Sequence, residues 1–378
     1  VPRIPEGQPV VIDICADGSM SKNELPRTIL ITGGAGFVGS SIGLHLRKLW
    51  PGCTVIALDN LKRRGSELNL PRLKTAGIRF IHGDVRERSD LDNLPRIDVL
   101  IECSAEPSVQ AGYQGAADYV VDTNLVGTLN CMRLAARDKA DVLFLSTSRV
   151  YPITTINALC MAGPHGFAID PEKTSMGVSN RGIGENLPLA GARTLYGATK
   201  LASEVMVQEY AAMHGFRSVI DRCGVLAGPW QMGKVDQGFV LLWLSRHYWG
   251  LPLNYIGFGG QGAQVRDVLH VADLCDLVVH QLQHFGELDG RVFNVGGGLA
   301  NSASLHAFTQ LCAEVTGRTT TIGTEANDRP GDLKLYITDN SAVTEATGWS
   351  PKRDLRAVLH DSYTWLKEHE AELRPILE

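Results

Sequence analysis

The chain has 378 residues, 44% of them hydrophobic and 20% charged, with a net charge of −5. That length supports one large core and a smaller second lobe, the negative balance argues against a nucleic-acid partner, and no run reaches the ~18 apolar residues that would make a membrane a partner. Eight cysteines are scattered without a Cys-x-x-Cys pair or a Cys/His cluster of zinc spacing, which predicts buried free thiols, a reducing cytoplasmic setting and no metal.

Residues 1–26 carry four prolines, and the short apolar stretch Val10-Val11-Ile12 is broken by Asp13, so no signal peptide is read there. This N-terminal extension is either native or vector-derived as far as Ser19, with Met20 as initiator, and takes no part in the functional reading. From Thr28 onward, strand-like runs at 28–32, 54–58, 78–82, 99–103, 142–146 and 218–223 alternate with helical patterns, clearest over 39–49, 119–137 and 196–214. Such alternation predicts an α/β fold, a Rossmann-type doubly wound parallel sheet. Residues 152–195 interrupt the rhythm with glycines and prolines, as a functional loop does. They are expected to form a lid over bound substrate, with Met161, Phe167 and Leu187 as apolar anchors. After Gly228-Pro229 the pattern changes again. The expected organisation is a dinucleotide-binding domain over 27–229 carrying the 152–195 insertion, and a smaller discontinuous C-terminal substrate-binding domain from 230–266 and 300–378. Residues 267–299 are expected to return to the large domain.

The segment Gly33-Gly34-Ala35-Gly36-Phe37-Val38-Gly39 follows an apolar strand and opens a helix. A turn free of side chains there lets a pyrophosphate approach the backbone and meet the helix N-terminus. Asp59 ends the next strand, where an acid bonds ribose hydroxyls and favours NAD over NADP. Asp84 and Val85, after the third strand, are placed at the adenine edge. Lys62, Arg63 and Arg64 read as a solvated loop or a clamp on the NAD pyrophosphate. Far downstream, Tyr196 and Lys200 stand at i and i+4 on one helical face. A cation beside a phenol favours the phenolate, which suits the tyrosine to exchange a hydroxyl proton near neutral pH. His82 and His270 read as structural histidines, and residues 243–249 as core.

The glycine spacing together with Tyr196/Lys200 resembles the extended short-chain dehydrogenase/reductase family, the sugar-nucleotide epimerases and dehydratases. Ser146-Thr147-Ser148-Arg149-Val150-Tyr151 is similar to that family's strand end, and Arg266-Asp267-Val268-Leu269-His270 and Arg329-Pro330-Gly331-Asp332 to its substrate-binding blocks. The resemblance implies NAD as cofactor and places the third catalytic hydroxyl on Thr147. Beyond the residues above, it implies cofactor contacts from Phe37, Val38, Asn60, Ser104, Ala105, Glu106, Asn124, Ser146 and Cys223. It implies a nucleotide-sugar substrate held by Ser108, Thr147, Ser148, Gln237, Arg266 and Arg329, and a homodimer formed through the helices at 119–137 and 196–214. Within the family, Asp59-Asn60-Leu61, Val235-Asp236-Gln237-Gly238 and Gly262-Ala263-Gln264-Val265-Arg266 are most similar to its CDP-hexose 2-epimerases. Dehydratases of the family follow the threonine with an Asp-Glu pair. Ser148 and Arg149 stand there instead, so the expectation is epimerisation, at carbon 2 of a CDP-hexose such as CDP-paratose. A 4-epimerase or reductase of the same family, or a catalytically silent NAD-binding sensor or scaffold, are the alternatives.

Overall fold

The computed structural model describes residues 25–113, 115–173, 176–233 and 238–378. Seven strands form an all-parallel sheet: β1 (Thr28–Thr32), β2 (Thr54–Asp59), β3 (Arg79–His82), β4 (Val99–Glu102), β5 (Asp141–Thr147), β6 (Ser218–Cys223) and β9 (Val292–Val295). Their spatial order is β9-β6-β5-β4-β1-β2-β3. The chain reverses direction across the sheet between β1 and β4, which opens a crevice at the carboxyl ends of the strands. Central strands are apolar on both faces because helices cover both. On one side Ile29 and Ile31 pack with Ile42 of α1 (Phe37–Leu49) and Leu274 of α5 (Val271–Gln283). On the other, Leu30 and Phe144 pack with Met132 of α2 (Gly127–Asp138) and Val207 of α3 (Leu195–His214).

A second sheet has β7 (Val225–Ala227), β8 (Val265–His270) and β10 (Ser302–Ser304) in sequence, with β11 (Leu335–Tyr336) also on β8. Three helices, α4 (Phe239–Trp249), α6 (Leu305–Thr316) and α7 (Leu355–Glu368), build the small lobe's core through Leu242, Trp243, Phe308 and Leu359. The small sheet therefore starts at Val225, just before residue 230, because Val225 to Ala227 pair in register with Val268 to His270.

In this structure the excursion over 152–195 lies packed beside the main cleft and not across it. None of its described residues lines the main cleft. It holds a short helix (Ile153–Ala158) and two hairpins, and its residues Ile156, Val178, Ile183 and Leu187 share a buried cluster with Leu333 and Tyr336. The reason is hydrogen bonding at its far end: Glu185 accepts from the Asn294 amide at 2.6 Å, and the Ile183 amide donates to the Ile337 carbonyl at 2.8 Å. Leu187 is buried and Phe167 meets Phe258 edge-on at 5.6 Å, whereas Met161 is exposed.

Candidate active site

One cleft of about 790 Å³ runs along the carboxyl ends of β1, β2, β4 and β5 and on into the small lobe. At its first end, Gly33 holds a left-handed φ of +62°, and a Cβ on Gly39 would stand 2.3 Å from the Gly33 carbonyl. Only glycines allow so tight a turn. It ends at Gly36, the N-cap of α1, which has no side-chain cap and no acid in the first turn. The uncapped amides and the dipole therefore face the cleft unopposed, as an anion site requires. Phe37, Val38 and Gly39 line this wall with Gly33 and Gly36. Asp59 takes the amides of Ala35 (3.1 Å) and Leu61 (2.8 Å), which oppose the upward push of burial on its carboxyl. Asn60, Arg63 and Val85 also line the cleft. The basic cluster does not gather as a ribose-phosphate site: Arg63 donates to the Met232 carbonyl, Arg64 to that of Pro375 at 2.6 Å, and Lys62 lies over the Tyr119 ring. Turn, bare helix end and acid fit a dinucleotide with free ribose hydroxyls.

Three expected cofactor contacts lie off the cleft: Asp84, Asn124 and Lys200. Asp84 spends its carboxylate on Arg86 (3.0 and 2.7 Å) and Asn60 (2.9 Å), which hold it at about 2 against burial. Asn124 is fully buried in a π-helical turn (Asp122–Val126), accepting from the Glu106 amide at 2.8 Å and donating to Thr199 at 3.2 Å. It fixes the 104–106 wall from behind. Ser104, Ala105 and Glu106 themselves line the cleft, as do Ser146 and Cys223. Ser108 lies outside it, with its hydroxyl accepting from the Ala111 amide. Gln237 falls outside the described residues.

Thr147 and Tyr196, two of the three residues expected to be catalytic, meet because α3 starts hard against the turn after β5. Thr194 caps the helix through the Gly197 amide at 3.2 Å, and a Cβ on Gly197 would sit 2.0 Å from the Arg149 carbonyl. A glycine at that position brings Tyr196 beside Thr147 and Arg149. Thr147 also caps its own turn, accepting from the Arg149 amide at 3.2 Å. Burial pushes the Tyr196 phenol up to about 12; a hydrogen bond from Thr147 and the charge of Arg149 oppose that push, while Cys223 and Glu102 add to it. Lys200, expected to supply the lowering charge, does not line the cleft. Its ammonium lies 3.7 Å from Glu102 and 3.9 Å from the centre of the Phe144 ring.

The other half of the cleft, where substrate contacts are expected, is marked by arginines. Arg266 pairs with Asp332 at 2.9 Å, and Arg329 and Ser148 line the same stretch. Arg149 joins them in the cleft, its guanidinium donating to the Gly331 carbonyl at 3.1 Å. Burial lowers it to about 10, which still leaves it charged at neutral pH. The sequence reading used Arg149 only as a missing acid, although a charged residue directly after the catalytic strand is itself a signal. Further along, Phe239, Trp243, Arg246, Leu253 and Asn254 line the cleft. The helical spacing of Phe239, Trp243 and Arg246 reads equally as core, and Trp243 is in fact both, with its indole bound to Thr309 at 2.9 Å. His270 is structural, capping α5 through the Ala272 amide.

Residues 29–296 match the model of the NAD-dependent epimerase/dehydratase family. The chain belongs to that family. Membership makes the chain an enzyme of that family and NAD its cofactor, in agreement with the turn, helix end and Asp59. Among curated proteins it is 27% identical to the CDP-paratose 2-epimerase of Salmonella typhi over 89% of this chain and 98% of that one. It is 28% identical to a dTDP-glucose 4,6-dehydratase of Streptomyces niveus, over 92% and 95%. Among solved structures, the UDP-glucose 4-epimerase of Thermus thermophilus, in complex with NAD, superposes with a TM-score of 0.72 at 24% identity, covering 90% of this chain and 99% of that one. No helix among the described residues is long and apolar enough to cross a membrane.

Proposed function

We propose that this enzyme is a nucleotide-sugar epimerase that oxidises one sugar hydroxyl to a ketone and re-reduces it on the opposite face. The observation that carries the reading is Arg149. A dehydratase needs an acid beside the catalytic threonine to expel a hydroxyl. Here that place holds a half-buried arginine, and among the described residues the acids lining the cleft are Asp59, Glu106 and Asp332. Asp59 belongs to the dinucleotide end, and Asp332 is paired with Arg266. Tyr196 takes the hydroxyl proton and later returns it, and Thr147 donates to the same oxygen as it becomes a carbonyl. Bound NAD supplies the hydride acceptor and donor, with no net redox change. Arg149, beside Tyr196, favours the phenolate, and Arg266 with Arg329 holds the substrate diphosphate in bidentate fashion. The sugar end thus stays free to turn.

A CDP-hexose such as CDP-paratose, reacting at carbon 2, is the substrate we favour. Support comes from the similarity to the Salmonella enzyme and from the 59–61 and 262–266 segments. We also infer a homodimer through α2 and α3. The test uses CDP-, UDP-, GDP- and dTDP-hexoses deuterated at carbon 2 or carbon 4. Expected is inversion of carbon 2 in a CDP-hexose, with a primary isotope effect from that position and the label retained. An isotope effect from carbon 4, or a 4-keto-6-deoxy product, overturns the assignment.

A further inference from the structure

Arg149, Arg266 and Arg329 line the half of the cleft where substrate contacts are expected, and the proposed clamp uses Arg266 and Arg329. Arg149 is placed to do more than favour the phenolate. Its backbone is rooted beside the base: a Cβ on Gly197, the residue after Tyr196, would sit 2.0 Å from the Arg149 carbonyl, and the Arg149 amide donates to the Thr147 hydroxyl at 3.2 Å. Its guanidinium reaches the Gly331 carbonyl at 3.1 Å. Arg266 holds the next residues of the same segment, Asp332 through a carboxylate oxygen at 2.9 Å and Leu333 through its carbonyl at 2.8 Å. The two guanidiniums are thus anchored on consecutive residues, and Arg149 is the one rooted at Tyr196. The carboxylate of Asp332 is paired with Arg266. Arg149 spends an N–H on Gly331 and keeps the greater part of its donor fork for the cleft it lines. Burial and the charge of Arg266 lower its pKa to about 10, with Asp332 and Tyr196 opposing, so it stays a cation that both the clamp and the phenol feel.

We infer that Arg149 grips the sugar-bound phosphate of the substrate and so determines which carbon is oxidised. This rests on the nucleotide-sugar epimerase reading above. In a nucleotide sugar the diphosphate is attached at carbon 1, so the hydroxyl on carbon 2 is its neighbour and that on carbon 4 lies across the ring. A guanidinium rooted beside the base brings the phosphate to the base, and the carbon 2 hydroxyl with it. A clamp standing away from Tyr196 would present carbon 4 instead. The same cation stands between two negative groups, the phosphate and the phenolate, and offsets a repulsion that would otherwise disfavour a base so close to carbon 1. Rotation about the bonds joining carbon 1 to the held phosphate then turns the ring over, with carbon 2 next to the pivot.

Binding tests the grip apart from turnover. The probes are the mono- and diphosphates of cytidine, uridine, guanosine and thymidine, and the base that binds the wild type best is carried into the variants. Only the diphosphate has the second phosphate that Arg149 would hold. In the full-length, NAD-loaded protein, calorimetry is expected to show Arg149→Gln weakening the diphosphate roughly 10- to 100-fold, the worth of charge-assisted hydrogen bonds, and the monophosphate far less. The phosphorus resonance of the second phosphate is expected to differ between wild type and variant more than that of the first. Equal weakening of both probes, or none, overturns the grip. Should Arg149→Gln not fold, Arg149→Lys keeps the charge and loses the fork; the diphosphate is again expected to suffer more, and equal loss overturns the grip. The deuterated sugars described above test the consequence in the wild type. An isotope effect from carbon 4, in an enzyme whose Arg149 does hold the second phosphate, overturns the choice of carbon by this residue and leaves an epimerase. Wild-type protein that binds none of the diphosphates sinks the nucleotide-sugar reading, and the grip with it.

Discussion

Tyr196 is the proposed acid–base group, and its surroundings explain why spacing alone described it incompletely. The i, i+4 pattern puts Lys200 on the right face of α3, yet in the folded chain the ammonium is taken by Glu102 and the phenol sits high. Nothing in the sequence around Val99-Leu100-Ile101-Glu102 advertises that pairing, except that an acid ending a fully buried parallel strand is itself unusual. Tyr196→Phe should retain NAD binding while turnover falls roughly 100- to 10,000-fold, the ordinary value of an acid–base group; near-wild-type turnover would remove Tyr196 from the mechanism. A second buried acid makes a prediction about stability. Burial raises Asp221 to about 7, against the single hydrogen bond from Gln281 at 2.8 Å. Because the folded value lies above the unfolded one, the unfolded chain ionises first as pH rises. Stability therefore falls between about pH 4 and 7 and levels off above. Asp221→Asn should raise the melting temperature at about pH 8 and leave it nearly unchanged at about pH 4. Equal shifts at both values would show that Asp221 is ionised in the fold.

Among elements, the strands and long helices were legible because each is a period: β-branched runs bounded by turns for the sheet, and 3.6-residue faces for α1 and α3. The glycine turn was legible because its residues need a backbone that others cannot adopt. The excursion over 152–195 was not. Its many glycines suggested freedom, but freedom of the backbone is cancelled where the segment finds partners, and Glu185 on Asn294 or Gly182 against the Ile337 carbonyl leaves no trace in spacing. Likewise, the π-helical turn that sets Asn124 is invisible as a pattern. If the excursion is a strut and not a lid, Glu185→Ala should destabilise the fold by roughly 1–3 kcal/mol, because the buried Asn294 amide loses its acceptor. It should not release partly reacted sugar. Thermal melting reads the first effect, and absorbance of reduced nicotinamide during turnover the second; build-up of the reduced cofactor in this variant would restore a closing role.

At the scale of the whole molecule, the two lobes account for the cleft, and a second copy of the chain would account for a face that they leave bare. Val126 precedes α2, and Val205 and Met213 lie on α3; they are 36%, 51% and 72% exposed, three large apolar side chains on one adjoining pair of helices. Scattered exposed apolar residues need no explanation, but a concentration on packed neighbouring helices is what an isologous contact supplies. The contact would reach the site indirectly. Thr123 and Asn124 sit in the turn leading into α2, and Tyr196 and Lys200 lie in the first turns of α3, so pairing of these helices would brace the wall at 104–106 and the start of α3 together. A stable interface of ordinary size buries about 800 Å² per partner, an area that two helices of this length can provide. The chain should therefore scatter light as a species of twice 41.0 kDa at micromolar concentration. Val205→Glu combined with Met213→Glu, which places a charge in each of two contacts, should give the monomer mass without loss of the helical circular dichroism signal. A wild-type monomer at micromolar concentration would mean that the face is simply exposed, and that the site is complete within one chain.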